Sequence, residues 1–333
     1  MTCYAPLQGW KDPETGGLTF RPQKSRTEDT MEVSCGQCLG CRLDRATMWM
    51  ARIIHESELH AHRKGNCFIT LTYDDEHIPQ DWSLRKKDFQ NFMKRLRKKH
   101  KHKIRFFHVG EYGSICKHGL PAATDYDSNP EHRCPTCNVG RPHYHAILFN
   151  HDYNDLIEVG GRRDHIHYTS PSLTKTWGHG HTQVGTLTPQ SAGYVARYCL
   201  KKVNGVRQDE HYQNLDPTTG EVTFVHPEYA TMSRRPGIGR EWFDRYQSDV
   251  FPSDETPVPG KGIVPSVPRY YTEILKEQNP ELHDEIKQRR LEHKEAHPEE
   301  YSGPRLMDKY HVKKRQIQTL KREQISPWRK ENF

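Results

Sequence analysis

No apolar run in this sequence approaches the ~20 residues that a membrane-spanning helix needs, which excludes a helical membrane anchor within it. The first residues carry no basic stretch followed by an apolar block. No secretory signal is therefore expected, and the chain is expected to stay in the cytoplasm where it is made. A Gly-x-x-x-x-Gly-Lys-Ser/Thr loop is also missing, so no helicase or ATPase of that type is encoded. There is no internal repeat. Hydrophobic residues are scarce at 33% and mean hydropathy is −0.98, so the core is limited and much of the surface polar. The 333 residues suffice for one large or two modest domains. Positive charge is in slight excess: 50 Lys and Arg against 43 Asp and Glu give +7, before 22 histidines are counted. That balance suits a polyanionic partner, a merely solvated surface being the plain alternative. Nine cysteines in a reducing compartment point to free thiols and metal ligands rather than disulfides.

The richest stretch is Arg141-Pro-His-Tyr-His-Ala-Ile-Leu-Phe-Asn150. It reads as a strand, so His143 and His145 project from one face with Ile147 and Phe149 further along. Two adjacent imidazoles on a strand make two-thirds of a divalent-metal site; a pair of solvated histidines is the competing reading. Ile104–Val109 reads as a second strand with Glu111 at its end, a carboxylate able to complete a His-His-Glu set with open positions. Such ligands suit Mg²⁺ or Mn²⁺ acting on phosphate oxygen, though zinc or iron also fits. A surface glutamate at a turn is the alternative. Fifty residues on, Tyr194-Val-Ala-Arg-Tyr-Cys-Leu-Lys-Lys202 divides cleanly on a helix opened by Pro189. Val195, Ala196, Cys199 and Leu200 fall on one half. Tyr194, Arg197, Tyr198, Lys201 and Lys202 fall on the other, with the two phenols one turn apart. An amphipathic helix with two interfacial tyrosines is the bland reading.

These stretches, with Phe68-Ile-Thr-Leu-Thr-Tyr73, Gly110-Glu-Tyr-Gly113 and Ser233-Arg-Arg-Pro-Gly-Ile-Gly239, resemble the HUH endonucleases. The likeness is to the rolling-circle replication initiators of the Microviridae, small single-stranded DNA phages, and above all to the gokushovirus branch. It runs from about residue 35 to 245. The two-tyrosine helix is its most specific part, since most HUH initiators of eukaryotic viruses have one tyrosine. The resemblance implies an RRM/ferredoxin-like palm and a metal held by His143, His145 and Glu111. It further implies attack by Tyr194 or Tyr198 on single-stranded DNA at a phage origin, leaving a 5′-phosphotyrosine and a free 3′-OH. Lys201, Lys202 and Arg197 would favour the phenolate or hold the phosphate. The expected setting is the cytoplasm of a bacterial host, with a host helicase and polymerase as partners. A non-catalytic, zinc-stabilised nucleic-acid-binding protein is the alternative from another class, and a facial-triad iron oxygenase a remoter one.

The order strand, helix, strand, strand, strand, helix predicts an α+β fold, an antiparallel sheet with histidines on one face and helices on the other. Residues 1–62 are expected to form an arm with a cysteine cluster and a helix, 63–250 the nuclease domain, and 251–333 a proline-rich linker and charged helical region. Cys35, Cys38 and Cys41 have ligand spacing, with Cys3 as a fourth thiolate for Zn²⁺. The 114–140 insertion supplies Cys116, His118, Cys134 and Cys137, a second candidate zinc set. A helix over 83–100, with Ser83 as N-cap, ends in a basic run. Lys98, Lys99 and Lys101, together with Arg234 and Arg235, are candidate phosphate contacts.

Overall fold

Alternation along Cys67-Phe-Ile-Thr-Leu-Thr72 sets the orientation of the central sheet. In the computed structural model, Cys67, Ile69 and Leu71 are buried on one face, while Phe68 packs with the core of the other. The structure describes residues 3–12, 14–21, 30–123, 129–162, 165–198, 208–215, 219–264, 267–298 and 307–315. Two compact units form, Met1–Thr47 with Arg269–Phe333, and Met48–Pro268.

The strands and helices begin with β1 (Leu7–Lys11), β2 (Leu18–Thr19), β3 (Thr30–Val33) and α1 (Leu39–Glu58). Next come β4 (Asn66–Thr72), α2 (Lys86–Lys99), β5 (Arg105–Tyr112) and β6 (Pro142–Phe149). A hairpin of β7 (Ile157–Arg162) and β8 (His165–Thr169) leads to α3 (Pro171–Trp177), β9 (Thr182–Thr186) and α4 (Pro189–Tyr198). Then follow α5 (Gln208–His211), β10 (Gln213–Leu215), β11 (Val222–Phe224), β12 (Tyr229–Met232) and α6 (Arg240–Tyr246). The last are β13 (Thr256–Val258), β14 (Gly262–Val264), α7 (Arg269–Gln278) and α8 (Pro280–Ala296). No helix among the described residues is long and apolar enough to cross a membrane.

In the second unit, seven strands pair antiparallel in the order β12-β5-β6-β4-β9-β8-β7. One face carries Ile69, Leu71, Tyr144, Ala146 and Leu148 against Phe89, Phe92, Met93 and Leu96 of α2 and Leu173 and Trp177 of α3. The other carries Phe107, Val109, Ile147 and Phe149 against Met50, Ile53 and Ile54 of α1 and Ala192 and Val195 of α4. Helices therefore cover both faces, which corrects the expectation of helices on one face only. The reason lies in β5 and β6, whose residues are apolar on both sides along most of their length; each side must be covered. Fully burying each large side chain contributes about 1.5–3 kcal/mol.

Local chemistry moves other boundaries. α2 starts at Lys86, and Ser83 is not its cap: the Ser83 hydroxyl accepts the His226 N–H at 2.8 Å instead. Glu111 lies within β5 rather than beyond it. Beside it Gly110 is required, because a Cβ there would come within 2.7 Å of the Tyr229 ring on β12. Residues 150–172, which looked like loop with a short helix, hold the β7–β8 hairpin, and the proline-rich 251–268 holds the β13–β14 hairpin.

The first unit contains a three-stranded antiparallel sheet, β2-β1-β3, where an extended arm was expected. α7 buries Tyr271, Ile274 and Leu275. α8 is capped by Asn279, whose side chain accepts the Leu282 N–H at 3.1 Å. Residues 307–315 are helical, and Tyr310 meets Tyr4 edge-on at 5.4 Å between centroids.

Candidate active site

The β5–β6 register sets Glu111 opposite His143, and alternation places His145 on the same face. Glu111 and His145 are buried and His143 is half-buried. One oxygen of Glu111, Oε1, lies 2.7 Å from His143 Nε2 and 3.0 Å from His145 Nε2. Three ligand-type atoms thus converge from two strands.

The outer ring nitrogens are also engaged. His143 Nδ1–H donates to the Arg141 carbonyl at 3.2 Å, which leaves the Nε2 lone pair directed at Glu111. His145 Nδ1 lies 2.9 Å from Thr70 Oγ1 on β4. A proton on that nitrogen again leaves Nε2 as the ligating atom. Phe68, two residues before Thr70, stacks on the His145 ring at 5.5 Å and 20°. Thr70 and Phe68 were quoted in the sequence only as part of a strand. Their shared parity with the histidine face was the available signal for a role in orienting His145.

α4 lies over this face. Thr188 and Ser191 cap it reciprocally: Thr188 Oγ1 accepts the Ser191 N–H at 3.1 Å, and Ser191 Oγ accepts the Thr188 N–H at 2.8 Å. Ala192 and Val195 anchor its apolar side. Tyr194, half-buried, is thereby set edge-on to His145, with ring centroids 5.5 Å apart and planes at 78°. It also meets Phe68 edge-on at 6.3 Å. Tyr198 is the last residue of α4, and only its backbone is described. Arg197 is half-buried on the same helix, whereas Lys201 and Lys202 lie outside the described residues.

Both cysteine sets assemble, each with its ligand atoms within 4.8 Å of one another. In the first unit, Cys3 and Cys38 Sγ are 3.9 Å apart, close to the roughly 3.8 Å between thiolates on a tetrahedral zinc. Cys35 and Cys41 complete the set. Backbone N–H groups donate to the sulfurs, Cys35 N–H to Cys3 and Tyr4 N–H to Cys38, both at 3.3 Å. Burial raises the Cys38 thiol, but N–H donors from Cys41 and Tyr4 outweigh it and bring the group down to about 7. In the second unit, Cys116, His118, Cys134 and Cys137 gather in the insertion, with His118 Nδ1 3.3 Å from Cys134 Sγ. Burial raises Cys134 too, yet hydrogen bonds from Thr136 and His118 bring it to about 6. Both sets fit a thiolate-bound metal. The neck of the insertion adjoins the histidines: the Arg141 carbonyl that receives His143 Nδ1–H also receives the Gly113 N–H at 2.8 Å.

The basic residues gather elsewhere. β12 runs antiparallel to β5, so the loop bearing Arg234 and Arg235 meets the Arg105 end of β5, away from Glu111. Lys98, Lys99 and Lys101 follow α2, on the sheet face opposite the histidines. Part of that run is structural. Arg95 donates to the Thr176 and Trp177 carbonyls, Lys99 to Thr176 Oγ1 at 2.6 Å, and Arg105 forms a buried ion pair with Glu56. Arg234 and Arg235 are exposed, while Arg240, next along, pairs with Asp244 at 2.8 Å.

With this geometry in view, comparison with known proteins is informative. A family model described as a replication-associated protein of the ORF2 type matches residues 66–120 and 134–203. The chain is 30% identical over 296 residues to replication-associated protein VP4 of Bdellovibrio phage phiMH2K, covering 84% of this chain and 79% of that one. It is 29% identical over 292 residues to replication-associated protein ORF2 of Spiroplasma virus 4, covering 81% and 79%. The chain belongs to the family of phage replication-associated proteins. The two matched stretches of the family contain Glu111, His143, His145, Tyr194 and Tyr198, and the gap between them falls within the cysteine insertion. No solved structure matches the chain.

Proposed function

We propose that this protein initiates replication of a phage genome by nicking and rejoining single-stranded DNA at its origin. The observation that carries the reading is the convergence of Glu111, His143 and His145 with the Tyr194 ring beside His145. The relatives' descriptions as replication-associated proteins support it. We read the sheet with α2 and α3 on one face as the palm of an HUH nuclease. His143, His145 and Glu111 would hold Mg²⁺ or Mn²⁺. Such an ion, when bound, supplies Lewis-acid polarisation of the scissile phosphate.

The chain's own residues do the rest. Thr70 and the Arg141 carbonyl orient the two imidazoles. The Tyr194 or Tyr198 hydroxyl attacks phosphorus in line; its O–P bond forms as the P–O3′ bond breaks. The phenolic proton leaves to solvent, and the departing O3′ takes one up. A free phenol has a pKa near ~10, so nearby cations assist its ionisation, a role assigned to Arg197, Lys201 and Lys202. The 5′-phosphotyrosine conserves the phosphoester, so a later 3′-OH rejoins the strand by the reverse attack and frees the tyrosine. Two tyrosines on one helix let the second cut after a round of synthesis while the first linkage is resolved. Host polymerase would extend the 3′-OH and a host helicase would open the duplex. Lys98, Lys99, Lys101, Arg234 and Arg235 are assigned to DNA leaving the site at the far end of the sheet.

The test is cleavage of end-labelled single-stranded DNA from the source genome, with Mn²⁺ and with EDTA. The expected result is a metal-dependent cut and a nucleotide adduct on Tyr194 or Tyr198 by peptide mass spectrometry. Tight DNA binding with no adduct on any strand or with any metal sinks the nuclease and favours a zinc-stabilised DNA-binding protein.

A further inference from the structure

A second histidine cluster lies at the other end of β6. His100 and His102 sit on the connection from α2 to β5, and His151 follows β6. One ring nitrogen from each comes within 4.8 Å of the others. Ring centroids are 4.5 Å apart for His100 and His151, 5.6 Å for His102 and His151, and 5.4 Å for His100 and His102. His151 is only 3% exposed. Its Nε2 and that of His102 are buried without a hydrogen-bond partner among the described residues. A buried imidazole nitrogen left without a partner costs about 1–3 kcal/mol. Two such nitrogens in one cluster are accounted for by a ligand that accepts their lone pairs.

The surroundings fit a cation held by neutral rings. Burial, with His100 and His102 beside it, brings His151 down to about 4, so its lone pair is free at neutral pH. The two chain segments are fixed without help from the rings. Asn150 Nδ2–H donates to the Lys103 carbonyl at 2.9 Å, and the His151 N–H donates to the Gly65 carbonyl at 3.0 Å. Asp152 adds no ligand to the set, and its Oδ1 accepts the Tyr153 N–H at 2.8 Å. A cleft of about 450 Å³ opens beside the rings, leaving room for a water as a further ligand.

We propose that His100, His102 and His151 form a binding site for a borderline divalent transition metal, zinc foremost, that ties the α2–β5 connection to the end of β6. Three imidazoles without a carboxylate suit zinc, nickel or copper and disfavour magnesium and manganese. The site is separate from the Glu111 cluster, on the order of 20 Å away at ~3.3 Å per strand residue. It does not depend on the nuclease reading.

The experiment is calorimetric titration of the untagged full-length protein, as purified, with zinc chloride. The parent is compared with H100Q/H102Q and with H143Q/H145Q, and circular dichroism checks that each is folded. The expected result is that H100Q/H102Q loses one equivalent of zinc that H143Q/H145Q retains. Equal stoichiometry and affinity in the parent and H100Q/H102Q overturns the site. Should the double variant misfold, H100Q alone, at a half-buried position, must weaken the same binding event; unchanged affinity there overturns it equally. Magnesium chloride titrated in place of zinc should give no heat that H100Q/H102Q abolishes.

Discussion

The two ends of β6 carry two histidine clusters of different chemistry. At its start, His143 and His145 share a carboxylate oxygen of Glu111 and have an aromatic hydroxyl residue, Tyr194, beside them. At its end, His151 meets His100 and His102 with no carboxylate in the set and no tyrosine helix above. The carboxylate makes the first cluster suited to a hard ion working on phosphate, whereas its absence makes the second a place to fix a softer ion. Two similar clusters on one strand thus differ in what they can do because of one neighbouring strand residue and one overlying helix.

The largest test of this contrast removes the nucleophiles. Y194F/Y198F is expected to abolish the protein–DNA adduct and lower cleavage by ~10³-fold or more. H100Q/H102Q should leave cleavage within about twofold, since mutations far from a site usually act independently. An adduct surviving in Y194F/Y198F breaks the assignment of α4. Next in size is E111Q, which keeps the shape of Glu111 but removes its charge. Cleavage at fixed Mn²⁺ should fall by about 10²-fold through lost metal affinity, with partial recovery at high Mn²⁺; zinc uptake at the second cluster should not change. Recovery in full at the parent's Mn²⁺ concentration would show that Glu111 is not a ligand.

A smaller effect is expected at Thr70. T70V removes the oxygen 2.9 Å from His145 Nδ1 while preserving the β-branched shape. Its Mn²⁺ requirement for cleavage should rise about 10-fold, the low end for loss of a ligand-orienting partner. An unchanged metal dependence argues that Phe68 alone orients the ring. The smallest effect concerns His55, buried by packing rather than by a ligand set. It stacks on Trp242 at 3.5 Å, and its Nε2 lies 2.7 Å from the Pro257 carbonyl. Burial lowers it from 6.5 to about 4. Between those values the unfolded chain takes up a proton that the native state refuses. Its contribution to stability is therefore complete above pH 6.5, declines as pH falls, and levels off below about 4. H55Q should flatten the fall in denaturation midpoint across that window; an equally steep fall in H55Q assigns the acid sensitivity to other groups.

Several of these features were legible before the structure. Strict alternation around His143 and His145 gave their common face, and helical spacing gave α2 and α4, because both signals are local. The clustering of Cys116, His118, Cys134 and Cys137 followed from spacing for the same reason. Other readings went astray where a distant partner overrode the local one. Ser83, a good cap by type, is taken by the His226 N–H. Arg95 and Lys99, basic and exposed in pattern, are held by α3. The β7–β8 hairpin was hidden by its glycines and charges, which mask a strand period.

The sequence by itself determined which residues share a face, which cysteines are spaced as ligands and where the two tyrosines fall on a helix. Those properties depend only on the repeat of a strand or helix and on chain distances of a few residues. The tertiary structure decided which carboxylate and which hydroxyl meet the two histidines, and that helices cover both sides of the sheet. It also decided that His151 returns to His100 and His102 and that much of the basic run lies far from Glu111. Those facts depend on strand register, and register is set by the packing of the whole sheet, in which a shift of one residue would send every side chain to the opposite face.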